Sequence, residues 1–89
     1  MRNLFWGSSF KRAYKARIKS NPELKPLIAE ALQAFATDPF HPSLKTHKLK
    51  GKLRGLWAFV VDYDCRIVFH FLDGGDVLLI DIGKHDEVY

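Results

Sequence analysis

The spacing of apolar residues changes once along this chain, and that change constrains the order of its secondary-structure elements. In the stretch 24–36 the apolar residues form one continuous stripe at helical spacing, made of Leu24, Leu27, Ile28, Ala31, Leu32, Phe35 and Ala36. After residue 55 they occur instead in three short runs, 56–61, 65–72 and 77–82, which have the length of strands. The pattern therefore predicts helices first and strands afterwards.

Two helices joined by a tight turn are predicted in the first part of the chain. Ser8 or Ser9 is expected to cap the first helix. The apolar positions of this helix are Phe10, Ala13, Tyr14 and Ile18. Asn21 is a favourable N-cap for the second helix, with Pro22 at its first position, and Thr-Asp-Pro at 37–39 ends it. Two consecutive helices with a short joint indicate a helical hairpin laid on a sheet.

The second part of the chain has the turn residues of an antiparallel meander. Asp-Tyr-Asp at 62–64 is the expected bend between the first two apolar runs, and Asp-Gly-Gly-Asp at 73–76 is a strong hairpin turn before the third. The segment 39–55 is expected to be irregular, whereas 3–6 could form a first strand. We therefore predict one α+β domain spanning 1–89, with an N-terminal strand, a helical hairpin and an antiparallel three-stranded meander.

Basic residues are concentrated in the first part of the chain. Residues 1–54 contain 12 Lys and Arg against 3 Asp and Glu, and residues 55–89 contain 2 against 7, so the net charges are +9 and −5. Such a basic part usually indicates a nucleic acid or an acidic protein partner. A solvated helix face explains one group of cations, Lys11, Arg12, Lys15, Arg17 and Lys19. It explains less well a denser group, Lys45, Lys48, Lys50, Lys52 and Arg54.

The single cysteine, Cys65, excludes an internal disulfide and suits a reducing compartment. No apolar run approaches the roughly 20 residues that a membrane crossing requires, and the first ten residues lack the apolar core of a signal peptide. The expected location is therefore the cytoplasm, without a membrane partner. The four histidines have no metal-ligand spacing, so no metal or other cofactor is predicted.

Two histidines could supply acid–base chemistry, because histidine titrates close to neutral pH. His47 lies inside the run of lysines, and His85 follows the last apolar run, next to Asp86. Tyr89 follows His85 at spacing four, so a helical turn would place both on one side. The alternative interpretation is an ordinary exposed loop histidine and a frayed terminus.

Arg66 is a candidate phosphate ligand, since a guanidinium group binds phosphate oxygens as a planar fork. Strand alternation places Arg66 on the same face as Val68 and His70, opposite a core face, and Asp64 lies close by in the chain. The alternative interpretation is a surface Asp–Arg pair without a function.

Several segments, in this order, resemble the RelE/ParE superfamily of bacterial type II toxins, and within it the YafQ branch. They are the helical stripe at 24–36, His-x-Leu-x-Gly at 47–51, Gly-Leu-Trp at 55–57, Asp-Cys-Arg-Ile-Val-Phe at 64–69 and Ile-Gly-Lys-His-Asp-Glu-Val-Tyr at 82–89. The resemblance covers nearly the whole chain, and it rests on the order and spacing of these segments together.

The resemblance implies a set of site residues. The YafQ histidine before the Leu-x-Gly turn corresponds to His47. The YafQ aspartate before the third strand, the run 65–72, corresponds to Asp64. The histidine after the last strand and the terminal aromatic correspond to His85 and Tyr89. The arginine that RelE uses on the scissile phosphate corresponds to Arg66.

The sequence departs from the family at two positions. Val60 stands where YafQ has a further histidine, and Ala58 and Val60 stand where RelE has paired lysines. The RelE form of the site is therefore not expected in this chain.

The resemblance implies a ribosome-dependent endoribonuclease that cleaves mRNA in the A site by metal-free attack of the ribose 2′-hydroxyl. His85 would be the acid, His47 the base, and Tyr89 would stack on a base or orient the ribose. The basic residues of 45–54 and of the first helix would bind ribosomal RNA, and the partners would be the ribosome, mRNA and a cognate antitoxin. A ParE-like DNA gyrase inhibitor without nuclease activity is the alternative, followed by an inactive nuclease that binds only an antitoxin.

Overall fold

The computed structural model describes residues 1–84 and contains two helices and a five-stranded mixed sheet. The helices are α1 (Ser8–Ser20) and α2 (Leu24–Thr37). The strands are β1 (Leu4–Trp6), β2 (His47–Lys48), β3 (Trp57–Asp62), β4 (Cys65–Phe71) and β5 (Val77–Gly83). Their order across the sheet is β1-β5-β4-β3-β2. The predicted α+β class, helical hairpin and three-stranded meander are thus confirmed.

Two features of the sheet were not predicted. The first strand pairs in parallel with β5, in the register Leu4 to Val77 through Trp6 to Leu79, so the last strand lies inside the sheet. The segment expected to be irregular contains the short strand β2, which pairs with β3 through His47 and Ala58.

Both helices pack on one face of the sheet through a core of aromatic and aliphatic side chains. Phe35 of α2 stacks on Phe59 of β3 at 4.3 Å between ring centroids and meets Phe69 of β4 edge-on at 4.7 Å. Phe10 of α1 is completely buried in the same cluster, together with Leu79 of β5. Aromatic pairs at these separations contribute about 0.5–1.5 kcal/mol beyond the burial of their area. The helical stripe predicted from the sequence therefore contributes to the main core, except for Leu27, which is exposed.

The opposite face of the sheet carries a second, smaller apolar cluster. Leu49, Ala58 and Val68 are its buried members, and Leu53 and Leu56 pack against them. The chain from 49 to 56 thus folds back over this face, and the backbone N–H of Leu49 donates to the carbonyl of Leu56 at 2.9 Å. Its leucines fix a segment whose lysines and arginine remain exposed.

The predicted helix caps are wrong in detail. Gly7 is the N-cap of α1 and no side chain caps it; the hydroxyl of Ser9 donates instead to the carbonyl of Ile80 at 2.7 Å. Asn21 ends α1, because its backbone N–H donates to the carbonyl of Arg17, and α2 starts only at Leu24. The joint is so short that the carbonyl of Asn21 accepts from Leu24 directly, at 3.1 Å. Within residues 1–84, neither helix has the length and apolar character needed to cross a bilayer.

Candidate active site

The sheet face opposite the helices, which we call the far face, brings two of the expected site residues together. Residues directly opposite each other in an antiparallel ladder point to the same face. His47 pairs with Ala58, and Val60 pairs with Arg66. Since Ala58 and Val60 alternate with the core residue Phe59, all four residues of these pairs belong to the far face. Their strand positions place the Cα atoms of His47 and Arg66 about 12 Å apart, across β3. Two side chains of this length can approach one phosphate from two sides.

The position of His47 is fixed by the segment that precedes it. Leu44 is buried in the main core and ends a short 3₁₀ turn. Lys45 then takes the left-handed backbone conformation, with φ 51° and ψ 40°. The hydroxyl of Thr46 donates to the carbonyl of Pro39, which ties the segment to the end of α2. This histidine is exposed, yet it stands on an anchored backbone, unlike an ordinary loop histidine.

A backbone carbonyl determines which nitrogen of His47 carries the proton. The Nδ1 atom of His47 lies 2.8 Å from the carbonyl oxygen of Lys45. Because a carbonyl can only accept, Nδ1 is the donor, and in the neutral ring the proton-accepting nitrogen is Nε2. The geometry therefore prepares His47 to act as a base through Nε2.

Arg66 emerges from β4 between aliphatic neighbours. It is half-buried and lies opposite Val60, which stands where the YafQ resemblance would place a histidine. The next far-face residue of β4, Val68, belongs to the small apolar cluster. These neighbours restrict the approach of water to the arginine stem, and its Nε atom is buried.

Asp64 lies in the turn between β3 and β4, and a residue of α1 holds that turn in place. The Nη2 atom of Arg17 donates to the backbone carbonyl of Asp64 at 2.9 Å. The register of the two strands shifts between Val60 and Asp62, so the turn is reached through a bulge. Asp64 itself is half-buried, two residues before Arg66.

The same guanidinium interacts with the buried thiol of Cys65. Burial raises the pKa of this thiol above its ordinary value, and a hydrogen bond with Arg17 opposes the rise. A thiol kept protonated in this way is a poor nucleophile, and Cys65 packs in the main core.

Sequence reasoning missed this role of Arg17, which it assigned to a solvated helix face. The available signal was its spacing, since position 17 follows Ala13 and Tyr14 at helical intervals and so borders the apolar stripe of α1. It is half-buried, whereas the other four cations of that helix are exposed.

The basic residues of 45–54 do not form one surface. Lys45, Lys50, Lys52 and Arg54 are exposed around the segment that covers the far face. Lys48 instead pairs with Trp57 and lies over its ring, with Nζ 5.5 Å from the ring centroid, so it belongs to the helix side. The short strand β2 thus separates neighbouring residues onto opposite faces.

Two expected site residues, His85 and Tyr89, lie outside the described residues. Within residues 1–84, no group of three or more His, Cys, Asp or Glu side chains is arranged to hold a metal ion. His70 is an exposed far-face residue whose Nδ1 donates to the carbonyl of Gly55 at 3.2 Å. It therefore braces the covering segment.

Several solved toxin structures share this fold over essentially the whole chain. A metal-bound toxin from Helicobacter pylori is 25% identical, covers 100% of both chains and has a TM-score of 0.79. A YoeB/ParE toxin from Agrobacterium tumefaciens is 21% identical over 93% of this chain and 98% of that chain, with a TM-score of 0.76. YafQ from E. coli strain BL21(DE3) is 16% identical over 100% of this chain and 99% of that chain, with a TM-score of 0.74.

No protein-family model matches the chain, and no curated protein sequence matches it significantly. The order of helices and strands and the mixed sheet are what the toxins and this chain have in common. The chain therefore has the fold of solved toxins of the YoeB, ParE and YafQ types, as the resemblance in its sequence implied.

Proposed function

We propose that this protein is the toxin of a type II toxin–antitoxin system and acts, like the YafQ branch, as a ribosome-dependent endoribonuclease on mRNA. One observation carries the proposal: His47, with its proton-accepting Nε2, and Arg66 occupy the same sheet face. A base and a phosphate-binding cation on one surface are what phosphodiester transesterification requires. A gyrase inhibitor needs neither.

In the proposed reaction, Nε2 of His47 removes the proton from the ribose 2′-hydroxyl. The 2′-oxygen then bonds to the adjacent phosphorus, and the bond from phosphorus to the 5′-oxygen of the next nucleotide breaks. Arg66 offsets the charge that builds on the phosphoryl oxygens. His85, by resemblance, returns a proton to the departing 5′-oxygen, and Tyr89 stacks on a base or orients the ribose. The products are a cyclic 2′,3′-phosphate and a free 5′-hydroxyl.

Asp64 completes the proposed catalytic set as an alternative proton acceptor. Its turn is anchored by Arg17, so its position relative to Arg66 is well defined. Both are half-buried and only two residues apart in the chain. We assign the principal base to His47, since its anchored backbone and its Nδ1 contact both favour proton transfer at Nε2.

The proposed partners follow from charge. Residues 1–54 carry a net charge of +9, and Lys45, Lys50, Lys52 and Arg54 would bind ribosomal RNA phosphates. The ribosome would hold mRNA in line for attack and so supply the orientation that the small protein lacks. A cytoplasmic antitoxin with an acidic or amphipathic segment would cover the basic surface.

The test is to map mRNA 5′ ends in a reconstituted translation reaction with wild-type protein, His47→Ala and His41→Ala. His41 is an exposed histidine whose side chain interacts with Ser43 at the start of the 3₁₀ turn that precedes Lys45, and it serves as the histidine-removal control. New 5′ ends within the reading frame should require ribosomes. They should form about 10²–10⁴-fold more slowly with His47→Ala, because a positioned base contributes that much, and normally with His41→Ala.

Two results would oppose the proposal in different ways. Wild-type rates from His47→Ala would remove this histidine from the mechanism. Intact mRNA with wild-type protein would reject the nuclease, and a DNA gyrase supercoiling assay would then test the inhibitor alternative.

A further inference from the structure

Three aromatic rings form a partly exposed cluster at the end of the sheet, on the helix side. Phe40, in the turn after α2, lies 5.7 Å from the Trp57 ring and 6.1 Å from the Phe71 ring, measured between centroids. Trp57 and Phe71 are 5.2 Å apart. Phe40 is 55% exposed, although its burial would stabilise the fold. We call these three rings the ring platform.

Two cations flank the ring platform. The Nζ atom of Lys48 lies 5.5 Å from the Trp57 centroid, and the guanidinium carbon of Arg2 lies 5.8 Å from the Phe71 centroid. Arg2 donates one bond, from Nη1 to the carbonyl of Gly75 at 2.6 Å. A guanidinium carries five N–H donors, so this bond leaves it further donors for a phosphate.

The carboxylate closest in sequence to Phe40 is engaged locally. The Oδ1 atom of Asp38 accepts a bond from the backbone N–H of Phe40 at 3.3 Å, within their own turn. The charged side chains that lie over the rings are Lys48 and Arg2. The patch is therefore positively charged and complements an anion.

We propose that the ring platform is a second RNA contact, which stacks an unpaired base on Phe40 while Lys48 and Arg2 bind the flanking phosphates. Exposed rings bordered by cations are the combination with which proteins hold single-stranded nucleic acid, because every base has a stacking face and every nucleotide a phosphate. The choice of RNA rests on the proposed function.

This surface is separate from the far face. His47 and Lys48 are consecutive in β2, but their partners in β3, Ala58 and Trp57, belong to opposite faces of the sheet. An RNA strand crossing the edge of the sheet at β2 would contact both surfaces, with the base of one nucleotide on the platform and a phosphate beyond it near His47.

The test uses Trp57 as an internal probe. A Trp6→Phe variant leaves Trp57 as the single tryptophan, and a short 2′-O-methyl oligoribonucleotide, which cannot be cleaved by its own 2′-hydroxyl, is titrated against it. Base stacking should quench Trp57, and Phe40→Ala in the same background should weaken binding roughly tenfold or more. Phe5→Ala is the matched control, since Phe5 is 51% exposed on β1, at the other edge of the sheet.

A second variant separates stacking from folding. Phe40→Leu keeps most of the apolar volume and removes the aromatic ring, so it should lose affinity while the protein stays folded. Lys48→Gln should lower the slope of log K against log salt by about 0.7, the contribution of one phosphate contact on a single strand.

Equal affinity for the parent, Phe40→Leu and Phe40→Ala would overturn the proposal, as would binding that leaves Trp57 fluorescence unchanged. Because the oligonucleotide cannot be cleaved, its binding is measured independently of catalysis. Normal platform binding without mRNA cleavage would reject only the nuclease, and ribosome-dependent cleavage with unaltered affinity in Phe40→Leu would reject only the platform.

Discussion

At the scale of the residue, the backbone conformation of Lys45 determines the orientation of the His47 ring. Lys45 has φ 51°, a left-handed conformation that costs a side-chain-bearing residue about 1 kcal/mol. In this conformation its carbonyl accepts from Nδ1 of His47. The strained residue, Lys45, is therefore two positions before the proposed base, His47, and its carbonyl forms a hydrogen bond with that histidine.

Lys45→Gly and Lys45→Val form a matched pair that tests this connection, because both remove the same charge. Glycine adopts the left-handed conformation readily, so Lys45→Gly should lose only the phosphate contact of the lysine, a loss that both variants share. Valine disfavours it, and we expect the free energy of unfolding to fall by about 1–2 kcal/mol and cleavage to fall at least tenfold. Urea unfolding and ribosome-dependent cleavage measure the two effects. Equal activity of the two variants would show that the carbonyl does not position His47.

The thiol of Cys65 makes stability depend on alkaline pH. Its pKa is raised in the folded protein, mainly by burial, so folding favours the protonated form. The resulting stability is fully present below the pKa of the unfolded chain, about 8.5, and is lost as the pH rises towards the folded pKa. Wild type should exceed Cys65→Ala by about 1–2 kcal/mol at pH 7, and this margin should shrink between pH 8 and pH 10. A constant margin in urea unfolding over that range would contradict the assignment.

At the scale of the element, the start of α1 is pressed against β5. The backbone N–H of Gly7 donates to the carbonyl of Leu79 at 3.0 Å. A Cβ atom added at Gly7 would lie 2.8 Å from the same oxygen. Its φ of −65° is open to any residue, so close approach to the sheet, and not backbone freedom, requires glycine here.

Gly7→Ala should therefore destabilise the protein by about 1–3 kcal/mol, the usual cost of forcing extra atoms into a packed site. Ser8→Ala is the control: because the side chain of Ser8 does not cap α1, its effect should stay within about 0.5 kcal/mol. Thermal unfolding of both variants decides the matter. If Ser8→Ala lowers the free energy of unfolding by about 1 kcal/mol, Ser8 caps α1 as the sequence predicted.

The elements that the sequence predicts well are those with a local periodic signal. The stripe of α2 and the apolar runs of β3 to β5 each extend over enough residues to be recognised. Strand β2 has only the residues His47–Lys48, which is too short for any period, and its existence depends on pairing with β3. The partner of β1 is likewise a nonlocal property, since Leu4 pairs with Val77.

In the candidate site, too, local features could be predicted from the sequence and nonlocal features could not. Alternation within β4 correctly placed Arg66 away from the core, because that depends on one strand alone. The facing of His47 and Lys48 to opposite sides could not be predicted, since it depends on their register with Ala58 and Trp57. The carbonyl that orients His47 was hidden for the same reason: its direction follows from the left-handed turn at Lys45.

At the scale of the whole molecule, the exposed cations form two populations with different surroundings. Lys50 and Lys52 lie in the segment pinned to the far face, whereas Lys11 and Lys15 lie on the outer side of α1. If the first pair binds RNA phosphates, it contributes to the salt dependence of binding, since each neutralised phosphate adds about 0.7–0.9 to the slope. If Lys11 and Lys15 are only solvated, they do not contribute to this salt dependence.

We therefore expect the double variant Lys50→Gln, Lys52→Gln to lower the salt slope of ribosome binding by about 1.4–1.8. The double variant Lys11→Gln, Lys15→Gln has the same charge and should leave the slope nearly unchanged. Sedimentation with ribosomes at several salt concentrations gives both slopes. An equal fall in the two variants would mean that the protein binds through its general charge rather than through the segment over the far face.

The parallel pairing of β1 with β5 also has a consequence for the timing of synthesis. The first strand finds its neighbour only in Val77–Gly83, and Phe10 of α1 shares its core with Leu79 of β5. A growing chain therefore lacks the main docking surface of its first helix, which is β5, until that strand has left the ribosomal exit tunnel. Until then the five-stranded sheet, and the packing of α1 against it, stay incomplete.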